Sequence, residues 1–98
     1  MSAKLKVTKG SSNVFKDLGF ADGEAENLKL RSELMIRIED FVEKSGLTQQ
    51  EAAHVLGITQ PRLNLLLKGK IDKFSLDALV NMISRAGMRV KLTVRKAA

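Results

Sequence analysis

Three polar side chains, Gln60, Arg62 and Asn64, stand close together in this sequence, and the first two are suited to reading nucleic-acid bases. A guanidinium grips guanine O6 and N7 with two parallel hydrogen bonds, and a carboxamide suits adenine N6 and N7. Lys68 and Lys70 follow shortly after. They are long flexible cations, better matched to backbone phosphate than to a base edge. Such chemistry needs a rigid element narrow enough for a groove, and the spacing places these residues at the start of a helix, whose N-terminus itself favours phosphate.

The elements that position them run through residues 47–70, LTQQEAAHVLGITQPRLNLLLKGK. Thr48 caps a first helix, and Glu51, three residues on, reaches back to close a capping box. Gly57 ends that helix and Ile58 is a buried plug. Thr59 caps a second helix with Pro61 in its first turn, where a missing N–H costs little. Two capped helices joined by so short a connection predict a helix-turn-helix. Ala52 and Ala53 allow close approach, while Leu56, Leu63, Leu66 and Leu67 supply apolar packing. Leu65, Leu66 and Leu67 are consecutive, and a single helix does not bury all three equally, so one is expected to face a neighbouring subunit or partner.

Length and composition fit one small domain with tails: 98 residues, 44% hydrophobic and 29% charged. The net charge of +6 is unevenly placed. Residues 1–45 hold eight Lys/Arg and eight Asp/Glu, residues 46–98 nine against three, so the whole excess lies in the half with the helix-turn-helix. A basic surface there is what phosphate neutralisation needs. The absence of cysteine excludes disulfides and thiolate metal sites and fits a cytoplasmic location. No run has the length of a signal peptide or membrane span, so no membrane partner is expected. With one histidine, no G-x-S-x-G, no P-loop and no dinucleotide fingerprint, no nucleophile–base pair assembles. A non-enzymatic protein without cofactor or metal is the expectation, with His54 packed or facing water.

Residues 1–23 read as an N-terminal arm. Leu5 and Val7 permit a brief edge strand, and Val14, Phe15, Leu18 and Phe20 form a small anchor onto something apolar. From Ala25 to Lys44 a long amphipathic helix carries Leu30, Leu34, Ile38, Phe41 and Val42 inward, and Gly46 ends it in a left-handed turn. Ser75 caps a further helix bearing Leu76, Leu79, Val80 and Ile83, which Gly87 stops. Lys73 and Arg85 read as ordinary surface charges, and Met35, Met82 and Met88 as core gap-fillers.

Beyond Gly87 the period changes to two. Met88, Val90, Leu92 and Val94 alternate with Arg89, Lys91, Thr93 and Arg95, predicting a C-terminal strand with a basic outer strip. A lone strand leaves its N–H and C=O groups unpaired, so it needs a neighbour. Leu5–Val7, the same strand of a second subunit, and a different protein are the candidates. Pairing across a homodimer is favoured, since two-fold dimers suit paired half-sites.

The segment TQQEAAHVLGITQPRLNLLLKGK, with its upstream amphipathic helix and downstream FSLDALVNMISRAG, resembles the XRE family of lambda-repressor/Cro-like helix-turn-helix regulators. The resemblance extends over residues 11–95. SSNVFKDLGF, the FSLDAL turn and MRVKLTV are similar to a compact branch that includes HigA-type antitoxins encoded beside RelE-like toxins. The resemblance implies a mostly α, lambda-repressor-like bundle of about four to five helices with a C-terminal β-strand. Residues 24–87 would form the DNA-binding domain and residues 88–98 a dimerisation strand and tail. It implies that Gln49 and Gln50 clamp the phosphate backbone, that Gln60, Pro61 and Arg62 meet base edges, and that Asn64 touches phosphate. Thr59 contacts DNA only secondarily to its capping role. The partners implied are double-stranded DNA, a second copy of the chain and, for the antitoxin branch, a RelE-like toxin.

Overall fold

Helix α2, Asp22–Ser45, is the backbone on which the other elements pack, and the computed structural model, which describes residues 14–96, shows why it forms where it does. Asp22 and Glu24 place negative charge in its first turn and Lys44 places positive charge in its last, both favourable against the helix dipole. Its buried stripe is Ala25, Leu28, Ser32, Met35 and Ile38. Leu34, Phe41 and Val42 flank that stripe, half-buried. The inward face is therefore rotated from the expected one, because a small residue, Ser32, occupies its centre. The Ser32 hydroxyl donates to the Lys29 carbonyl at 2.8 Å, which satisfies it within its own helix.

Before α2 lies a single turn, α1 (Val14–Asp17), packed on α2. The Phe15 ring meets Phe20 edge-on at 6.2 Å, so part of the expected anchor closes on itself. Val14 and Leu18 stay exposed at 54% and 70%. The expected Leu5–Val7 strand lies outside the described residues.

After α2 come α3 (Gln49–Leu56), α4 (Gln60–Leu67), a 3-10 turn at Ile71–Lys73, and α5 (Leu76–Arg85). Helix α5 packs along α2 and touches α3. Ser75 caps it, accepting from the Ala78 N–H at 3.2 Å. Leu79, Met82 and Ile83 are its buried residues, while Val80 is exposed. One core joins Met35 and Ile38 to Leu56, Leu63, Leu66, Phe74, Leu79 and Met82.

The expected C-terminal β-strand is absent: the described residues contain no strand, and 88–96 has no regular secondary structure. The chain turns at Gly87, at φ 85, where the Met88 N–H donates to the Ile83 carbonyl at 3.1 Å and closes α5. Met88 packs on the core, but Val90, Leu92 and Val94 are exposed. Alternation suits a strand but is not sufficient for one, since the ladder requires a second strand to bond with. The expectation of a bundle closed by a strand paired across a dimer is corrected accordingly. Among the described residues, all regular secondary structure is helical.

Candidate nucleic-acid interface

Local hydrogen bonding builds the motif as its sequence dictates. The Glu51 N–H donates to Thr48 Oγ1 at 3.1 Å and the Thr48 N–H to Glu51 Oε1 at 2.9 Å, a complete capping box at the start of α3. At the start of α4 the Arg62 N–H donates to Thr59 Oγ1 at 3.3 Å, with Pro61 in the first turn. Between the helices Gly57 takes φ 76, and the Ile58 N–H bonds the Ala53 carbonyl at 3.0 Å. Such a turn needs the left-handed region that glycine enters without strain. A side chain at 57 would also collide with the guanidinium of Arg85. Ile58 is half-buried against the core, a partial plug.

Helix α4 divides cleanly. Leu63 and Leu66 are buried, at 0% and 3% exposure, while Gln60, Pro61 and Asn64 are exposed on the other side, with Lys68 one turn further. Spacings of one, four and eight from Gln60 fall on one helical face. In the leucine run, Leu65 and Leu67 both pack half-buried against the core on either side of buried Leu66, so no leucine of the three is turned wholly outward. At the start of α3, Gln49 and Gln50 are exposed too, as are Thr59 and Lys70. Eight of the nine residues singled out from sequence thus lie open to solvent: Gln49, Gln50, Thr59, Gln60 and Pro61 at two helix starts, Asn64 midway along α4, and Lys68 and Lys70 at its far end.

Arg62 is different. Its side chain is half-buried: Nη2 donates to the Lys73 carbonyl at 3.2 Å, and Cζ sits 4.5 Å from the centroid of the Phe74 ring. Phe74 itself is 1% exposed and is the largest fully buried side chain. On the α2 side, Arg31 Nη1 donates to the carbonyls of Ile71 at 3.1 Å and Phe74 at 3.2 Å, while its Nε donates to Asn27 Oδ1 at 2.7 Å. Two arginines from two helices therefore hold the segment that follows α4. Neither Arg31 nor Phe74 was singled out from sequence. The usable signal is Phe74 itself, an aromatic residue in the short connection between Lys70 and the helix capped by Ser75, where a solvated loop rarely carries one.

Arg85, read as a surface charge, donates from Nε to the Val55 carbonyl at 3.3 Å and ties α5 to the end of α3. His54 is exposed. Among the described residues no group of three or more His, Cys, Asp or Glu is arranged to hold a metal ion, and no helix is long and apolar enough to cross a membrane.

With two capped helices, a glycine joint and one polar face in place, comparison with known proteins gives a consistent answer. The sequence matches the helix-turn-helix domain family over residues 14–95. The chain belongs to this helix-turn-helix family. It is also similar to a solved structure assigned to the XRE family of transcriptional regulators, at 27% identity and a TM-score of 0.69, over 76% of this chain and 83% of the other. No curated protein aligns with it significantly.

Proposed function

We propose that this helix-turn-helix chain is a sequence-specific, DNA-binding transcriptional regulator that represses by occupying its operator as a homodimer in the cytoplasm, without catalytic activity. The observation that carries this reading is the division of α4: leucines inward, and Gln60, Pro61 and Asn64 outward beside exposed Lys68 and Lys70. That surface has hydrogen-bonding groups for base edges and cations for phosphate, the two components a duplex reader combines. The excess positive charge of residues 46–98 adds a field that attracts a polyanion. The similar XRE structure favours the same role.

A dimer would set two α4 helices in successive major grooves about 34 Å apart. Selection from a randomised duplex pool tests the reading directly. The expected product is a two-fold symmetric sequence with half-sites about 10 base pairs apart, bound by a protein that sediments as a dimer. Recovery of no enriched sequence at low salt would sink the proposal.

A second reading keeps the DNA face and adds a partner. Exposed Val14, Leu18 and Phe20 form apolar surface outside the helix-turn-helix, which favours an antitoxin that neutralises a RelE-like toxin and represses its own operon. Co-purification with the product of an adjacent small basic reading frame is expected in that case, and independence of the two proteins would remove it.

A further inference from the structure

We propose that Arg62, although it stands in the recognition helix, serves DNA binding as a positioning residue: its guanidinium locks the segment 70–74 against α4 and does not read a base. The proposal rests on the DNA-binding reading above and assigns a different role to one of its residues.

The geometry commits the guanidinium in two ways at once. Nη2 is bonded to the Lys73 carbonyl at 3.2 Å, and the planar group lies over the Phe74 ring at 4.5 Å. A cation stacked on an aromatic face is attracted by the ring quadrupole, and a guanidinium does this while still donating in its plane. The ring is anchored in turn, because Phe74 is packed among Leu63, Leu66 and the α5 residues of the core. Arg62 is thus fastened to a fully buried core residue, whereas Gln60 and Asn64 on the same helix are exposed.

The segment needs such a fastening. Its backbone is tied to the end of α4 by the Lys70 N–H on the Leu65 carbonyl at 3.1 Å and the Ile71 N–H on the Gly69 carbonyl at 2.8 Å, and beyond that by turn bonds from the Lys73 N–H to the Lys70 carbonyl at 3.0 Å and from the Phe74 N–H to the Ile71 carbonyl at 3.3 Å. One isolated 3-10 turn is a weak structure. Arg31 grips it from α2 through the Ile71 and Phe74 carbonyls, and Arg62 grips it from α4 through Lys73. Held between two helices, the segment keeps Lys70 and Lys73, both exposed, at a fixed place beside the recognition helix. Swinging Arg62 out to a base would strip the Lys73 carbonyl of that bond, uncover the ring and loosen these cations together. Base discrimination then falls to Gln60 and Asn64.

The test compares the full-length chain with Arg62→Ala and Phe74→Leu, the second keeping an apolar residue in the core while removing the aromatic face. The probes are the duplex that the unmodified chain selects from a randomised pool, its single-base-pair variants and an unrelated duplex of equal length. Arg62→Ala is expected to weaken binding to the selected and unrelated duplexes by the same factor, about tenfold, the scale of losing fixed phosphate contacts by Lys70 and Lys73. The ratio between the two duplexes stays unchanged, Phe74→Leu reproduces the loss, and the double substitution adds little to either. Amide hydrogen exchange of Lys73 and Phe74 accelerates in Arg62→Ala without DNA present. Loss of discrimination at a single base-pair position in Arg62→Ala, with Phe74→Leu binding normally, overturns the proposal. So does unchanged protection of the two amides. If the unmodified chain prefers no duplex at all, the DNA-binding reading fails first, and this role of Arg62 falls with it.

Discussion

Arg85 Nε donates to the carbonyl oxygen of Val55 at 3.3 Å, joining α5 to the last turn of α3 at the point where Gly57 bends the chain toward α4. The final carbonyls of a helix lack intrahelical partners, and a cation there meets both a free acceptor and the negative end of the dipole. The same arginine fills the space that a side chain at residue 57 would need.

These two residues should therefore behave as a pair. Arg85→Ala is expected to lower stability by about 0.5–1.5 kcal/mol, the net worth of one hydrogen bond. Gly57→Ala should cost more than the 1–2 kcal/mol or so of left-handed strain alone, because of the collision. In the Arg85→Ala background the cost of Gly57→Ala should fall back to the strain alone. Urea denaturation of the four proteins checks this cycle, and strict additivity would refute it.

Phe74 is the largest side chain that the fold removes completely from water. Phe74→Ala is expected to destabilise by about 3–5 kcal/mol, as other aromatic deletions from cores do. For a domain of this size that is a large part of the total, so the thermal midpoint should drop sharply. A shift of only a few degrees would mean that the core closes over the gap.

The capping box gives a smaller, local prediction. Thr48→Ala leaves the Glu51 N–H without its side-chain acceptor, and a loss of about 1 kcal/mol is expected from chemical denaturation. Thr48→Asn or Thr48→Asp should recover most of it, since both side chains are good caps. Failure of both to do so would assign Thr48 a role other than capping.

On the DNA face, Gln60→Ala should reduce discrimination at one base-pair position by about 1–3 kcal/mol. Lys70→Ala should weaken all duplexes alike and flatten the salt dependence by about one charge. Binding titrations at several ionic strengths separate the two effects. Exchanged outcomes would place Lys70 in the groove and Gln60 on the backbone.

What could be read directly from the chain is the chemistry that acts over three or four residues. Thr48 with Glu51, Thr59 with the Arg62 N–H, and Gly57 as a left-handed joint all satisfy their own neighbours, so local sequence suffices. The exposed positions of the DNA face followed from the same helical period. Contacts that span the fold were hidden. Arg31 meets Phe74 from 43 positions away and Arg85 meets Val55 from 30, and nothing in either neighbourhood announces the partner. The α2 stripe was misplaced because hydrophobicity alone passes over Ser32, a polar residue that is buried with its hydroxyl bonded inside the helix. The strand expected at 88–94 failed for the opposite reason. Its local pattern was strong, but a strand exists only with a neighbour.

Helix α4 spends most of its eight residues on the core, leaving Gln60, Pro61 and Asn64 as its outward face. That limits how much information one copy of the chain can extract from DNA. A reader that fixes about three base pairs singles out roughly one site in 64, against the million or more competing sites a genome offers. Under the proposed dimeric reading, the address of an operator is carried by how copies are arranged along the duplex: spacing and symmetry supply the digits that so short a helix cannot.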